Sequence, residues 1–290
     1  MTIEGEGAWA CPVPRDVLSA SGPDTVSFLQ GQLSQDVDAL AVGESAFSFL
    51  LQPQGKVDAF LRVLRRDDDF VLDTDAGWGE AALARLVRFK LRVRCDLAPL
   101  DWRCLAVRGA ASAALPGPPD GTWQVVAETP GSAGFDLLGP DPALPDGVEV
   151  ATPEVYEALR IAAGVPRMGS ELEATTIPAA TGVIERAVSF TKGCYTGQEL
   201  VARIDSRGGN VPRRLRGVVA EPGTTPPTGA EVVVGDTVAG TLTSVAHSAV
   251  HGAPVALAYL RRDVEPPAGA ELRWDGGSAR ARVEVLPLGG

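Results

Sequence analysis

Long apolar runs are missing from this 290-residue chain. The longest, such as Ala46 to Leu51, are far too short to span a bilayer, so no transmembrane helix is expected. Met1 to Trp9 carries Glu4 and Glu6 but no basic start and no apolar stretch, so no secretory signal is expected either. A soluble, cytoplasmic protein is the expectation. Cysteine is scarce: Cys11, Cys95, Cys104 and Cys194 are scattered, with no CxxC pair. Such spacing favours a reducing compartment over a disulfide framework and offers no ready zinc-binding or cluster-binding set. Histidine is scarcer still, with only His247 and His251. A thiol hydrolase normally needs a histidine base, so that chemistry is disfavoured. The i,i+4 spacing of the pair would face one way on a helix, but Ser244 to Ala253 reads as a strand end and a turn, and no metal site is expected. Positive charge is in deficit, 26 bases against 37 acids, for a net charge of −11. That balance argues against general affinity for nucleic acid or anionic membrane.

What is present is an ordinary globular composition, 45% hydrophobic and 22% charged, with enough apolar residues for real cores. Ser21-Gly-Pro-Asp24 opens a helix with Val26, Leu29 and Leu33 at helical spacing. Ala46 to Leu51, Lys56 to Leu64 and Phe70 to Asp73 read as a meander of strands, with a turn at Pro53-Gln-Gly55. Gly79 to Arg92 reads as a helix with Leu83, Leu86, Val87 and Leu91 on its apolar face. Trp102 to Arg108 and Trp123 to Ala127 look like strands, while Leu137 to Pro145 looks like a surface excursion. Thr152-Pro153 starts a helix that stops at Gly164. Beyond Gly208-Gly-Asn210 only short strand-like runs remain, separated by Pro and Gly, which is the texture of a small β-barrel or sandwich. A boundary is placed near Val211.

Four features are candidates for chemistry. Thr191-Lys-Gly-Cys-Tyr-Thr-Gly-Gln-Glu199 brackets Cys194 and Tyr195 with Gly193 and Gly197, which suits a tight exposed loop. Gln198 to Ile204 continues as a helix, so Cys194 stands ahead of a helix N-terminus and beside Lys192, two features that favour a reactive sulfur. From Glu185 to Arg216 seven bases face three acids, a local charge of +4 that marks an anion site or a solvated face. Arg203 lies within it. Lys56 follows the Gln52-Pro-Gln-Gly55 turn, with Asp58 next on the same strand face. Arg160, Arg167 and Glu171 surround the helix exit at Gly164-Val-Pro166, placed to line a cleft or cap the helix.

These segments carry a resemblance. Lys192-Gly-Cys-Tyr-Thr-Gly-Gln-Glu199 resembles the signature of YgfZ-type folate-binding proteins, within the superfamily of the glycine-cleavage aminomethyltransferase. Phe28-Leu-Gln-Gly-Gln-Leu-Ser-Gln-Asp36 resembles the family's first helix and Gln52 to Lys56 its first hairpin. Leu159 to Gly169, Glu171-Leu172 and Ile177-Pro178 resemble its central stretch, and Gly240 to Arg262 its closing β domain. The resemblance implies an α+β fold: two α+β lobes, about 1–100 and 101–210, and a C-terminal β-barrel over 211–290, around a central folate channel. It implies tetrahydrofolate as ligand and a role in assembling or repairing iron–sulfur proteins, with those clients or their assembly factors as partners. On that reading Cys194 and Lys192 form the reactive centre, and Lys56, Asp58, Arg160, Tyr195, Gln198 and Arg203 serve the folate. Neither nucleic acid nor membrane is expected as a partner. Three departures speak against aminomethyl transfer. Asp58 is followed by Ala59 where the transferases carry adjacent acids, and Ala162 stands where they carry a pterin-holding glutamate. The Ile-Pro-x-Glu element likewise reads Ile177-Pro-Ala-Ala180.

Overall fold

A computed structural model describes residues 7–129 and 132–289; Glu4 and Glu6 lie outside the described residues. The chain opens with β1 (Trp9–Val13) and β2 (Arg15–Ser21), separated by Pro14, and continues with α1 (Thr25–Gln32), β3 (Ser45–Leu51), β4 (Val57–Arg65), β5 (Asp69–Asp75), α2 (Gly79–Phe89) and β6 (Asp96–Leu100). The first sheet has the order β3-β4-β5-β2-β6 and is antiparallel throughout. An interior strand, β4, explains the layering. On β4, Ala59, Leu61 and Val63 pack against α1 and α2, and Phe60 and Leu64 serve other clusters on the opposite side. A strand buried on both faces reads as a near-continuous apolar run, as Val57 to Leu64 does. The helix read over Gly79 to Arg92 ends at Phe89, and its apolar face is narrower than the periodicity suggests. Leu86 is buried, whereas Val87 is 52% and Leu91 79% exposed, because the first sheet covers only one flank of α2.

The second sheet is assembled from β7 (Arg103–Arg108), β8 (Trp123–Val125), β9 (Gly134–Gly139) and β10 (Glu149–Val150), in the order β10-β1-β7-β9-β8. Thus β1 leaves its sequence neighbours and pairs with β7, opposing Val13 to Cys104. The expectation of a surface excursion from Leu137 is corrected here: Leu137 and Leu138 lie in β9, paired with β7, and both are buried. The Gly and Pro that follow end that strand rather than loosening it. Val17, Leu64 and Val71 of the first sheet meet Cys104, Val125 and Leu138 of the second, so the sheets pack face to face.

α3 (Pro153–Ala162) begins at Thr152 and exits through Gly164 at φ +72°, a left-handed position that suits glycine. Its Tyr156 packs on Trp9, Cys11 and Ala106 of the second sheet. Its Ile161 packs on Leu215, Val255 and Leu257 of the last unit. α4 (Ile184–Ala187) and α5 (Gln198–Asp205) follow. The last unit is a closed barrel of β11 (Arg213–Ala220), β12 (Glu231–Val234), β13 (Thr237–Ser248), β14 (Ala253–Arg261), β15 (Ala268–Trp274) and β16 (Gly277–Glu284), sealed by β11 against β16. Val218, Val232, Leu242, Ala258, Leu260 and Val283 fill its interior. His247 lies within β13, which runs to Ser248, so the strand end read within Ser244 to Ala253 falls at Ser248. The architecture is therefore α+β with a barrel rather than a sandwich at the C-terminal end. No described helix is long and apolar enough to cross a membrane.

Candidate functional site

The cysteine loop is anchored on both sides. Ser189 N donates to Ser34 O (3.0 Å) and Thr196 N to Gly31 O (3.0 Å), tying residues 189–196 to the carboxyl end of α1. Between these anchors Lys192 Nζ donates to the carbonyls of Gln30 (2.7 Å), Leu33 (2.8 Å) and Gln35 (2.8 Å). A cation is favoured at a helix carboxyl end, where carbonyls lack partners. All three N–H bonds of the ammonium are thus taken by backbone. Burial pulls the Lys192 amine down to about 8, against the pull of Asp36. The Lys192 amine also sits 5.2 Å from the centre of the Tyr195 ring. Tyr195 packs on the cluster containing Phe60, Val57 and Val201, and burial raises its phenol to about 12. Its N–H donates to Gln198 Oε1 (3.1 Å), closing the turn into α5. Cys194 projects from this frame and is the exposed one of the four free cysteines.

Two glycines bring the hairpin to the loop. Gly197 has φ +84°, and a Cβ there would lie 2.5 Å from Gln52 O and 3.1 Å from Gly55 Cα. A Cβ on Gly55 would lie 2.5 Å from Leu200 Cβ. The backbones therefore touch, which only glycine permits. Gly193 differs from the expectation: nothing lies within 4 Å of a Cβ there, and its φ is not in the left-handed range. Lys56 sits at this junction, its carbonyl accepting from Gln52 N (2.8 Å). Asp58 Oδ2 accepts from Arg85 Nε (2.9 Å), and the same guanidinium reaches Leu51 O and Gln32 Oε1. The three short motifs at residues 28–36, 52–56 and 192–199 thus meet at one place.

Arg160 and Arg203 lie elsewhere. Arg160 is buried, and its guanidinium links Glu157, Glu171, Val165 O and Ser244 Oγ, joining α3 to β13. It locks the barrel to the body rather than lining a cleft. Arg203 Nη2 meets Glu199 Oε1 at 3.1 Å across one exposed helix turn. Another member of the basic stretch, Arg186, turns inward, donating to the carbonyls of Glu128 and Ala127 with its guanidinium 4.2 Å above the Phe47 ring.

A second feature lies apart from that loop. Where the two sheets, α3 and β13 converge lies a cavity of about 720 Å³, lined by Val13, Asp75, Glu128, Tyr156, Arg167 and Met168 among others. Behind it runs a buried ionic network. Arg62 of the first sheet holds Asp73 at 2.9 Å and Asp136 of the second sheet at 2.6 Å, and Arg108 holds Asp136 at 2.7 Å. Arg15 Nη1 donates to both Asp75 Oδ1 and Glu128 Oε1, 3.0 Å each. Burial alone would raise Glu128, but Arg15, the Tyr156 hydroxyl (2.8 Å) and further guanidiniums hold it down at about 2. Burial and the adjacent Glu128 carboxylate raise Asp75 despite Arg15. The legible signal was a lone charge inside an apolar strand. Arg62 in Phe60-Leu-Arg-Val-Leu64 and Asp136 in Phe135-Asp-Leu-Leu138 each required a buried partner.

Comparisons with known proteins agree with this architecture. Residues 213–288 match the family model of the glycine cleavage T-protein C-terminal barrel domain. The glycine cleavage aminomethyltransferase of Bartonella henselae superposes with a TM-score of 0.81 at 21% identity, covering 97% of this chain and 86% of that one, which is a likeness of fold. A tRNA-modifying protein YgfZ from Photorhabdus laumondii is 32% identical over 216 residues, 67% of this chain and 65% of its own. The tRNA-modifying protein YgfZ of Klebsiella pneumoniae is 30% identical over 296 residues, 93% of this chain and 90% of the relative. With that identity sustained over almost the whole of both chains, this protein belongs to the YgfZ family.

Proposed function

We propose that this protein binds tetrahydrofolate in the cavity between the two sheets and acts as an accessory factor for iron–sulfur enzymes, with Cys194 as its reactive group. The observation that carries the reading is the pairing of a cavity of about 720 Å³ with buried carboxylates on its wall and an arginine among its lining residues. That volume lies in the ordinary range for small-molecule sites. A reduced folate presents a pterin edge rich in N–H donors, an apolar middle and an acidic tail. Asp75 and Glu128 are acceptors for the donor edge, Val13 and Met168 offer apolar contact, and Arg167, partly exposed and already paired with Glu157 Oε2 at 2.7 Å, is the guanidinium of the lining toward the acidic tail. The residues fit the group. When bound, tetrahydrofolate supplies a carrier of one-carbon units.

The chain's own groups divide the work. Arg15 orients Glu128 and Asp75, and the Tyr156 hydroxyl fixes the second Glu128 oxygen. Lys192, Tyr195 and Gln198 hold the loop from which Cys194 meets a client. Lys56 closes the hairpin turn whose Gln52 and Gly55 meet that loop, and Asp58, on the same hairpin, holds Arg85. Aminomethyl transfer is not the favoured reaction, because Ala59 is packed in the apolar core and Ala162 beside the barrel, where the resemblance calls for carboxylates. The relatives are named as tRNA-modifying proteins. The two readings meet if the client iron–sulfur enzymes include ones that modify tRNA.

Calorimetry and thermal shift with reduced folates test the first half. The expected dissociation constant is micromolar or weaker, about −8 kcal/mol or less favourable. Glu128→Gln should weaken binding, and absence of heat and of any melting shift at millimolar ligand would overturn it. For the second half, Cys194→Ser should leave folate binding intact yet fail to support iron–sulfur enzyme activity in cells.

A further inference from the structure

We propose that the arginine-rich rim where α5, β11 and β14 meet binds the phosphate backbone of RNA. Residues 203–216 and 261–265 hold seven arginines against three acids, on a chain whose net charge is −11. The fold makes these two stretches one surface. Arg213 lies directly opposite Arg261 in the β11–β14 ladder, Arg262 N donates to Pro212 O (3.1 Å), and Arg214 Nη2 donates to Gly209 O (3.1 Å).

Strand alternation sorts the side chains. Val218 and Leu260 point into the barrel, so Arg214 and Arg216 share the inward parity at its open end, while Arg213 and Arg261 point outward. Like charges directly opposite each other on a ladder are unfavourable without a counter-anion. Among the described residues, ion pairs reach only Arg203, through Glu199, and Arg261, through Asp263. Arg207, Arg213 and Arg262 are exposed and carry no such partner. Arg216 is lowered, first by burial and then by Arg214 beside it, which an arriving anion would relieve.

The kind of anion follows from what the rim lacks. Protein partners are held by an apolar centre within a polar rim. None of the exposed large apolar side chains falls within 203–216 or 261–265. Phosphate contacts need only charge and hydrogen-bond donors, and guanidiniums supply both in a planar fork. Residues 203–216 and 261–265 contain no aromatic side chain on which a base could stack, so binding is insensitive to sequence. The overall negative charge does not cancel the rim, because at physiological salt fields decay over about 8 Å.

The experiment uses fluorescence anisotropy with a labelled 20-base-pair RNA duplex and the full chain. Binding is expected in 50 mM salt and should weaken about a hundredfold by 200 mM, as four phosphate contacts require. The Arg207→Glu/Arg213→Glu/Arg262→Glu variant should lose at least about tenfold in affinity. These side chains are exposed, so its melting and folate binding should match the parent; Arg213→Gln alone gives a milder version if the triple variant melts early. Failure of this inference thereby leaves the folate reading intact, and the reverse. Equal RNA affinity in parent and variant, no binding at 50 mM salt, or equally tight binding of a labelled oligoglutamate peptide would each overturn the proposal, the last pointing to an acidic protein instead.

Discussion

Gly197→Ala and Gly193→Ala form a matched pair, two identical changes in one loop with opposite expected outcomes. At Gly197 the backbone sits at φ +84°, where an L-residue costs about 1–2 kcal/mol. The new Cβ would also meet Gln52 O at 2.5 Å and Leu51 Cβ at 2.8 Å. Those atoms belong to a buried strand and its turn and give way poorly, so overpacking adds about 1–3 kcal/mol. Loss of glycine's freedom in the unfolded chain returns about 0.4–1 kcal/mol. The net cost is about 1–5 kcal/mol, delivered where the Cys194 loop rests on the hairpin. At Gly193 nothing lies within 4 Å and φ is ordinary, so alanine there should change stability by less than about 0.5 kcal/mol. Urea unfolding gives the stabilities, and hydrogen exchange across residues 189–200 reports whether the loop lifts locally first. If Gly197→Ala unfolds with the parent, or Gly193→Ala is equally damaging, the glycine-to-glycine contact does not hold this loop.

Cys194 should alkylate far faster than the other three cysteines in the native protein, because Cys11, Cys95 and Cys104 are buried, and mass spectrometry of native against urea-unfolded samples should show one fast site rising to four. Glu128 is held below its unfolded value, so its stabilisation is present above about pH 4.5 and is lost as pH falls toward about 2. Glu128→Gln should flatten that part of the stability–pH curve, and Asp75→Asn, removing a raised group, should change the slope in the opposite sense. Arg160→Met leaves Glu171 charged and buried without its cation, at a cost of about 3–5 kcal/mol in urea unfolding. Arg203→Ala breaks only an exposed pair and should shift the same midpoint by less than about 0.5 kcal/mol.

Much of this protein is local and therefore legible from its residues in order. The meander β3-β4-β5 follows from alternating and continuous apolar runs, α3 from Thr152-Pro153 and Gly164, and the barrel from short strands punctuated by Gly and Pro. The Cys194 loop is local too, since its motif contains the glycine, the lysine and the start of the following helix. What the chain order hides is pairing between distant strands. That β1 joins the second sheet, and that Leu137 and Leu138 lie in an interior strand, depends on which partners complete their hydrogen bonds, a choice made only on collapse. The same holds for charge. Lys192 reads from its neighbours as the cation beside a thiol, yet its amine is claimed by three carbonyls that stand about 160 residues earlier. Arg15, Asp75 and Glu128 look like unrelated surface charges until two sheets close over them, because only burial makes a charge seek a specific partner. Sequence thus determined the elements and the cysteine loop, and tertiary packing decided which charges face each other and where a cavity opens.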